Sequence, residues 1–194
     1  MNENFIYTNP DTDKKFFYCE ELSHILKDDY YSLKFAKIND KAIIPSKRNE
    51  DAGYDIYTTD KDIVLQPHET VAFHTGLVSE FSPAWVGIVK ERGSTAKYGL
   101  SIRSGVIDSG YRGEWLIMIT NVSDKIVIFS DDLVPSHLLI VAEVTDKEVT
   151  FYPLSKAIAQ VIFLPVPQLN VEEVKLEELS SSERGEGKFG SSGK

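Results

Sequence analysis

The sequence contains a single cysteine among its 194 residues, Cys19, so an internal disulfide is excluded. No group of cysteines and histidines has the spacing of zinc ligands, which excludes the usual structural zinc sites. No apolar run approaches the roughly 20 residues that a membrane-spanning helix requires, and the amino terminus has none of the features of a signal peptide. These absences predict a protein of the reducing cytoplasm that does not span a membrane.

Positive charge is also scarce. The chain has 21 Lys and Arg residues against 30 Asp and Glu residues, and its formal net charge is −9. Affinity for a nucleic-acid backbone depends on clustered basic side chains, so a general nucleic-acid binder is excluded and any phosphate site must be local. The acidic balance is compatible with Mg²⁺ that accompanies a phosphorylated substrate, since this ion is usually held by a few carboxylates, waters and phosphates.

From residue 31 onward the sequence contains short apolar runs separated by turn residues. Pro45, Pro67 and Pro83 fall between these runs rather than within them, as expected for strand boundaries. Runs of this length and spacing predict an all-β barrel or sandwich, and the chain length suits one domain. The runs are SLKFAKI, KAII, YDIYT, DIVLQP, TVAFHTGLV, WVGIVK, KIVIF, LLIVAEV, VTFY and IAQVIF.

Two flanking segments differ from this pattern. Residues 1–30 are polar, with apolar residues at helical spacing that predict one short amphipathic helix from Phe17 to Lys27. After a predicted final strand from Leu169 to Leu176, the tail is rich in Ser, Gly and charge and cannot bury enough apolar surface to order itself. We therefore expect an N-terminal extension (1–30), a β domain (31–176) and a flexible C-terminal arm (177–194).

The stretch GVIDSGYRGE, from Gly105 to Glu114, concentrates chemistry more than any other. Turn residues between two apolar runs predict a β-hairpin, with Asp108 and Tyr111 at its tip and Trp115 opening the returning strand. A carboxylate at such a tip can orient and deprotonate water, or it can simply cap the turn. The Gly-rich tail around Arg184 likewise suits either an anion-binding loop or a plain linker.

Five stretches in this order resemble the five motifs of the homotrimeric dUTP pyrophosphatases (dUTPases). The third stretch is the close match described above, and the arm carries the fifth. The resemblance implies a dUTPase-like β-barrel or jelly roll with a flexible arm. The stretches are AGYDIY (52–57), ERGSTAKYGL (91–100), GVIDSGYRGE (105–114), AIAQVIF (157–163) and RGEGKFGSSG (184–193).

The resemblance implies hydrolysis of dUTP to dUMP and pyrophosphate, with Asp108 as the general base and three subunits sharing each site. Mg²⁺ would bind the triphosphate, and Asp55 would reach it at most through water or would instead make a structural hydrogen bond. Nucleic acid and membranes are not expected as partners. The implied substrate-binding residues are Arg92, Gly93, Ser94, Gly105, Val106, Ile107, Tyr111, Gln160, Arg184, Phe189, Gly190, Ser191 and Ser192.

Some positions depart from the family pattern. Gly93 stands where a serine is usual, Ala157 where an arginine is usual, and Lys188 where a glycine is usual. The stretch between the third and fourth motifs is longer than in compact members, which predicts an insert of two or three strands within about 123–153. Some phage dUTPases carry an insert there, so it either decorates the barrel or contacts a regulatory protein.

Two other functions remain open from the sequence. A dCTP deaminase-like enzyme would share the fold, although the full Gly-rich arm weighs against it. A regulatory binding protein would use the nucleotide site as a switch and the insert as its contact surface.

Overall fold

A computed structural model describes residues 31–131, 145–167 and 169–187, the positions Leu138 and Ile140, and the backbone of residues 4–8 and 15–18. This part of the chain consists mainly of strands. The strands are β1 (Asn4–Thr8), β2 (Lys15–Tyr18), β3 (Leu33–Lys37), β4 (Tyr54–Ile56), β5 (Ile63–Leu65), β6 (Thr70–His74), β7 (Leu77–Phe81), β8 (Trp85–Lys90), β9 (Leu100–Ile102), β10 (Val106–Ile107), β11 (Leu116–Asn121), β12 (Ile126–Ser130), β13 (Val149–Pro153) and β14 (Ala159–Pro165). They are accompanied by the helix α1 (Gly93–Lys97) and a 3₁₀ turn (Leu176–Glu178).

The strands form several small sheets around one core, which confirms the predicted all-β fold. The sheet orders are β10-β8-β14-β4, β6-β11-β9, β13-β12-β5 and β3-β7, with β1 and β2 paired separately. All of these pairings are antiparallel except β12 with β13, which is parallel. No helix in the described ranges is long and apolar enough to cross a membrane.

The core is rich in large aromatic side chains. Phe73 and Phe129 lie 4.7 Å apart between ring centroids, and Tyr152 packs 5.1 Å from Phe129. Trp115 is also fully buried, and its indole Nε1 donates to Ser79 Oγ at 3.1 Å. Burial of each large apolar side chain stabilises the fold by about 1.5–3 kcal/mol. This core fixes the sheet β10-β8-β14-β4, which carries the candidate site.

The predicted β-hairpin at residues 105–119 is wrong, because its two strands do not pair with each other. A turn does form at residues 109–110, but the strands on its two sides belong to different sheets. Val106 and Ile107 of β10 pair with Ile88 and Gly87 of β8, whereas β11 pairs with β6 and β9. Burial of Ile107 (6% exposed) against β8 decides the pairing, which turn chemistry alone cannot indicate.

Other sequence predictions also need correction. The run TVAFHTGLV forms two strands, β6 and β7, and the run KAII forms none. In the segment LLIVAEV the two described residues, Leu138 and Ile140, are helical rather than extended. Residues 169–175 form no strand, and their apolar side chains are exposed.

The predicted N-terminal helix lies mostly outside the described residues. Its first two residues, Phe17 and Tyr18, belong to strand β2, so the helix cannot begin at Phe17. Within the predicted insert, β12 and β13 pair in parallel, and residues 132–137 lie outside the described part of the chain.

Candidate active site

The sheet β10-β8-β14-β4 borders an open cleft of about 1130 Å³. The fold brings three of the sequence motifs together here. Gln160 of β14 pairs with Asp55 of β4 and with Lys90 of β8 in the strand register, and Arg92 follows β8 directly as the N-cap of α1. The lining residues are Ser46, Lys47, Arg48, Glu50, Asp51, Ala52, Gly53, Asp55, Arg92, Gly93, Ser94, Lys156, Gln160 and Ile162.

Arg92 is held by a two-pronged ion pair at the floor of this cleft. Its Nε lies 2.8 Å from Asp55 Oδ1, and its Nη2 donates to Asp55 Oδ2 at 3.1 Å. The two side chains are 29% and 30% exposed. Nη1 points toward Ser94 Oγ and the Ala157 carbonyl, each at 3.4 Å. Because a guanidinium fork engaged on two atoms has a fixed plane, Arg92 is oriented before any ligand enters.

Two glycines in the cleft differ in the space around them. A Cβ on Gly53 would collide with the side chain of Gln160, whereas a Cβ on Gly93 would meet no atom within 4 Å. The Gln160 amide Nε2 donates to the Glu91 carbonyl at 2.7 Å. Gly53 therefore allows Gln160 to lie close against β4, and Gly93 leaves the mouth of the cleft open.

Glu91, the residue before Arg92, stabilises this arrangement through its carboxylate. Its carboxylate accepts from the Ile102 backbone N–H at 2.8 Å and from Ser101 Oγ at 3.3 Å. Burial acts to raise its pKa, but hydrogen bonds from backbone N–H groups and from Lys90 outweigh that effect, and the pKa of Glu91 lies below its ordinary value of 4.5. An ionised carboxylate thus ties β8 to β9 at the point where the chain turns into α1.

Sequence reasoning missed three basic residues of the cleft, Lys47, Arg48 and Lys156. Arg48 is paired with Asp51, with its Nε 2.8 Å from Oδ2, whereas no carboxylate in the described residues pairs with Lys156. Lys156 directly precedes Ala157 in the fourth motif. A basic residue adjacent to the substituted motif position was the signal that could have identified it.

Ala157 itself contributes only its backbone. It is 1% exposed, and its carbonyl accepts from Tyr152 Oη at 2.6 Å and from the Arg92 guanidinium at 3.4 Å. Burial raises the pKa of Tyr152, and its hydroxyl lies close enough to Ser94 and Arg92 for both to oppose that shift. A long cationic side chain is therefore absent at this position, and the cleft's cationic groups come from Lys47, Arg48, Arg92 and Lys156.

The loop from Asp108 to Gly113 does not line the cleft. Asp108 is exposed, and its carbonyl accepts from the Tyr111 N–H at 3.1 Å. Tyr111 is 44% exposed, its hydroxyl donates to the Glu114 carbonyl at 3.0 Å, and a Cβ on Gly113 would collide with its ring. The loop thus presents a carboxylate and an aromatic ring to solvent.

The strand before this loop presents backbone groups as well. Gly105 has a φ of +60°, a conformation that favours glycine, and its carbonyl accepts from the Val89 N–H at 2.8 Å. Val106 is 57% exposed, while Ile107 is buried and anchors the strand. Gly105 and Val106, two of the predicted substrate-binding residues, therefore lie at an accessible sheet edge.

The structure does not bring all of the predicted site residues together. Asp55, Arg92, Gly93, Ser94 and Gln160 share the cleft, but none of residues 105–111 lines it. Arg184 is exposed, donates from Nε to the Gly187 carbonyl at 3.1 Å, and does not line the cleft either. The remaining predicted residues lie outside the described part of the chain: Lys188, Phe189, Gly190, Ser191 and Ser192.

Comparison with known proteins identifies a consistent family. Residues 39–134 match the family model described as dUTPase. The deoxyuridine 5′-triphosphate nucleotidohydrolase of Clostridioides difficile is 36% identical over 167 residues, which cover 84% of this chain and 99% of that protein.

Two solved structures have a similar fold. One is a mutant of the Staphylococcus bacteriophage 80alpha dUTPase with dUpNHpp, which is 25% identical, has a TM-score of 0.64, and aligns with 84% of this chain and 98% of that chain. The other is a mutant dUTPase from phage phi11 of S. aureus, described for its coordination of a structural Mg(II) ion, which is 23% identical with a TM-score of 0.60 and aligns with 77% of this chain and 99% of that chain.

Proposed function

Because the chain belongs to the dUTPase family, we propose that it hydrolyses dUTP to dUMP and pyrophosphate, which limits uracil incorporation into DNA and supplies dUMP. The observation that carries this proposal is the cleft in which Arg92, Ser94 and Gln160 meet Asp55. A cytoplasmic location is part of the proposal and rests on the single cysteine. The alternative of a dCTP deaminase is not favoured, since the relatives are nucleotidohydrolases.

The cleft is proposed to bind the phosphate chain. Arg92 offers a planar donor group already oriented by Asp55, and charge-assisted hydrogen bonds of this kind are the stronger ones in proteins. Ser94 Oγ lies next to that guanidinium, and Lys156 adds a cation without a carboxylate partner among the described residues. Gln160 orients the floor of the cleft through its bond to the Glu91 carbonyl.

Mg²⁺ is proposed to enter with the substrate. No group of three or more histidine, cysteine or acidic residues suited to a metal occurs among the described residues, whereas Asp55, Asp51 and Glu50 line the cleft. This donor set fits Mg²⁺, which keeps several waters and is commonly held by one or two carboxylates plus substrate phosphates. When bound, the ion would neutralise phosphate charge, with Asp55 contributing at most through water.

Asp108 is proposed as the general base that orients and deprotonates the attacking water, which would attack the α-phosphorus in line. Positioned bases contribute roughly 10² to 10⁴ in rate, and phosphoryl transfer otherwise depends on positioning and charge stabilisation. Tyr111 would pack against the deoxyribose and exclude a 2′-hydroxyl. The backbone of Gly105, Val106 and Ile107 would hydrogen-bond the uracil edge, and such polar sites reject mispaired analogues strongly.

A complete site is proposed to need more than one chain, in a homotrimer with shared sites. The supporting observation is that none of residues 105–111 lines the cleft of the same chain. The C-terminal arm would close over bound nucleotide as mobile lids do, with Arg184 on the terminal phosphate and Phe189 on the uracil, flanked by Gly190, Ser191 and Ser192. Contact between the insert and a regulatory protein stays a prediction.

A nucleotide panel tests the proposed activity. Purified protein with Mg²⁺ is expected to release pyrophosphate from dUTP and not from dCTP, dTTP or UTP. Release of ammonia from dCTP would identify a deaminase instead. Equal turnover of dUTP and UTP would contradict the proposed role of Tyr111, and the absence of any turnover would contradict the proposed function.

A further inference from the structure

Glu114 closes the stretch that carries Asp108, and its carboxylate is bound on both oxygens. Oε1 accepts from the Gly76 backbone N–H at 2.7 Å, and Oε2 lies 2.9 Å from His74 Nδ1. Both partners belong to the β6–β7 turn, defined here as His74–Gly76. The Glu114 side chain is only 21% exposed, so this carboxylate is largely removed from solvent and committed to the turn.

The turn that receives Glu114 is itself firmly held. Gly76 has a φ of +67°, and a Cβ there would collide with Asn39. Thr75 is fully buried, and its hydroxyl donates to the Trp115 carbonyl at 2.8 Å. The His74 N–H donates to Asp60 Oδ2 at 2.7 Å. Because its partners are fixed by the barrel, the carboxylate of Glu114 has a rigid anchor.

Glu114 also connects this anchor to the loop. Tyr111 Oη donates to the Glu114 carbonyl at 3.0 Å, and Gly113 packs against the Tyr111 ring. Arg112 makes the loop's other described charged contacts. Within the loop its Nη1 donates to the Ser109 carbonyl at 2.6 Å, whereas outside the loop its Nη2 lies 3.8 Å from Glu80 Oε2 and both side chains are 53% exposed. Surface pairs of that kind contribute little. The position of the loop therefore depends chiefly on Glu114 and on buried Ile107 at its two ends.

We propose that Glu114 is a positioning residue that fixes the 108–113 loop, and with it Asp108, against the β6–β7 turn. This inference rests on the proposed function in one respect, namely the role of Asp108 in turnover. Glu114 does not act on the substrate itself. Its two hydrogen bonds set where the Asp108 carboxylate points when nucleotide binds.

The charge state of the pair gives this contact a pH dependence. The hydrogen bond to Glu114 raises the pKa of His74 above its ordinary 6.5, with burial opposing and nearby Asp60 assisting. Burial acts to raise the pKa of Glu114, but its bonds to His74 and to backbone N–H groups outweigh this and hold the pKa below 4.5. Besides the two partners themselves, Asp60 is the titratable group that acts on the pair.

The sign of the effect follows from these two directions. The Glu114 contribution is present above pH 4.5 and is lost as the pH falls through its lowered pKa. The His74 contribution is present below pH 6.5 and is lost as the pH rises through its raised pKa. The charged pair is therefore strongest between about pH 4.5 and 6.5 and becomes a neutral-donor hydrogen bond at alkaline pH.

The test uses Glu114→Ala and Glu114→Gln, with Glu69→Ala as the matched control. Glu69 is an exposed carboxylate at the other end of β6 that also accepts a backbone N–H, from Gln66 at 2.8 Å. Two quantities are measured on the full-length protein: hydrogen exchange of the amides of residues 108–113, and kcat and KM for dUTP across pH.

Glu114→Ala is expected to speed loop exchange roughly ten- to hundred-fold, as for loss of a charged hydrogen bond, and to lower kcat while KM changes less than about two-fold. Glu114→Gln keeps an acceptor for Gly76, so it should restore much of the protection and of kcat. In the parent, exchange corrected for the intrinsic pH dependence of amide exchange is expected to increase as the pH rises above the pKa of His74. This increase should be absent in Glu114→Gln. Glu69→Ala should match the parent in both measurements.

If the amides of residues 108–113 exchange in Glu114→Ala at the parental rate, the inference is overturned whatever the activity. An equal loss of kcat in Glu114→Ala and Glu69→Ala would also overturn it. A parent that does not hydrolyse dUTP would overturn the proposed function, while the exchange measurement would still decide whether Glu114 holds the loop. The two failures are thus distinguishable.

Discussion

The cleft and the 108–113 loop represent two kinds of functional surface in one chain. In the cleft the key side chains already have partners: Arg92 with Asp55, and Gln160 with the Glu91 carbonyl. In the loop Asp108 and Tyr111 are exposed, and its main described contacts with the rest of the fold are at Ile107, at Glu114 and in the weak Arg112–Glu80 pair. The fold therefore determines the geometry of the proposed phosphate site within one chain, whereas the groups proposed for chemistry and sugar recognition are exposed.

This difference is the basis of the proposed shared site. An exposed carboxylate can orient water for catalysis only where a substrate phosphorus is held nearby, and in one chain none of residues 105–111 lines the cleft. Variants of the cleft should therefore change mainly substrate binding and those of the loop mainly turnover. The following predictions test that division, from the largest effect to the smallest.

Asp108→Asn is expected to lower kcat by roughly 10² to 10⁴, because the proposed base is lost while the shape of the side chain is kept. Binding of dUTP, measured by titration calorimetry, should stay within about two-fold, since Asp108 does not line the cleft. The matched control is Asp124→Asn, because the Asp124 side chain is 98% exposed. Parental turnover in Asp108→Asn would remove the catalytic assignment.

Arg92→Ala is expected to lower kcat/KM for dUTP by roughly ten- to hundred-fold, the effect of losing hydrogen bonds to a charged group. Arg92→Lys should not restore it, because an ammonium cannot keep the two-pronged geometry with Asp55. Steady-state kinetics measure the loss, and thermal unfolding checks the fold. Full activity in the lysine variant would show that charge alone is sufficient.

Gly53→Ala and Gly93→Ala form a matched pair. The new methyl group collides with Gln160 in the first and meets open space in the second. Overpacking should reduce the free energy of unfolding of Gly53→Ala by about 1–3 kcal/mol, while Gly93→Ala should remain within about 0.5 kcal/mol of the parent. Urea unfolding measures both. Equal stabilities would mean that Gln160 moves aside freely.

Lys156→Ala is expected to raise KM for dUTP a few-fold with kcat unchanged, because it removes a partly exposed cation from the cleft. The difference from the parent should shrink at high salt, which screens exposed charges. Lys175→Ala is the control, since Lys175 is exposed and does not line the cleft. A salt-independent effect on kcat would assign Lys156 to some other role.

The sequence predicted which segments form strands better than it predicted which strands pair with each other. Strands such as β8 and β12 have the apolar composition that marks buried extended chain, and Asp55, Arg92 and Gln160 were identified by motif. The partner of β10 was missed, because a tight turn at residues 109–110 indicates chain reversal but not which strand lies alongside. Burial of Ile107 against β8 settles that choice.

Two further errors have physical causes of the same kind. The run that contains Leu138 and Ile140 is almost continuously apolar, and a short run of this kind is compatible with either a helix or a strand. The segment 169–176 has apolar residues but pairs with no strand in the described part of the chain, and Val171 is 91% exposed. Lys156 was missed because it lies one residue before the motif position at which a cation is usual, although its basic side chain beside Ala157 was a signal in the sequence.

The most direct test of the account is complementation between two impaired variants. Asp108→Asn and Arg92→Ala chains are prepared separately, then refolded together, and pyrophosphate release from dUTP is measured. If the loop of one subunit serves the cleft of another, random mixing should restore roughly a quarter of the parental activity, because that fraction of sites pairs an intact Arg92 with an intact Asp108. Mixed samples no more active than the separate variants would contradict the shared site.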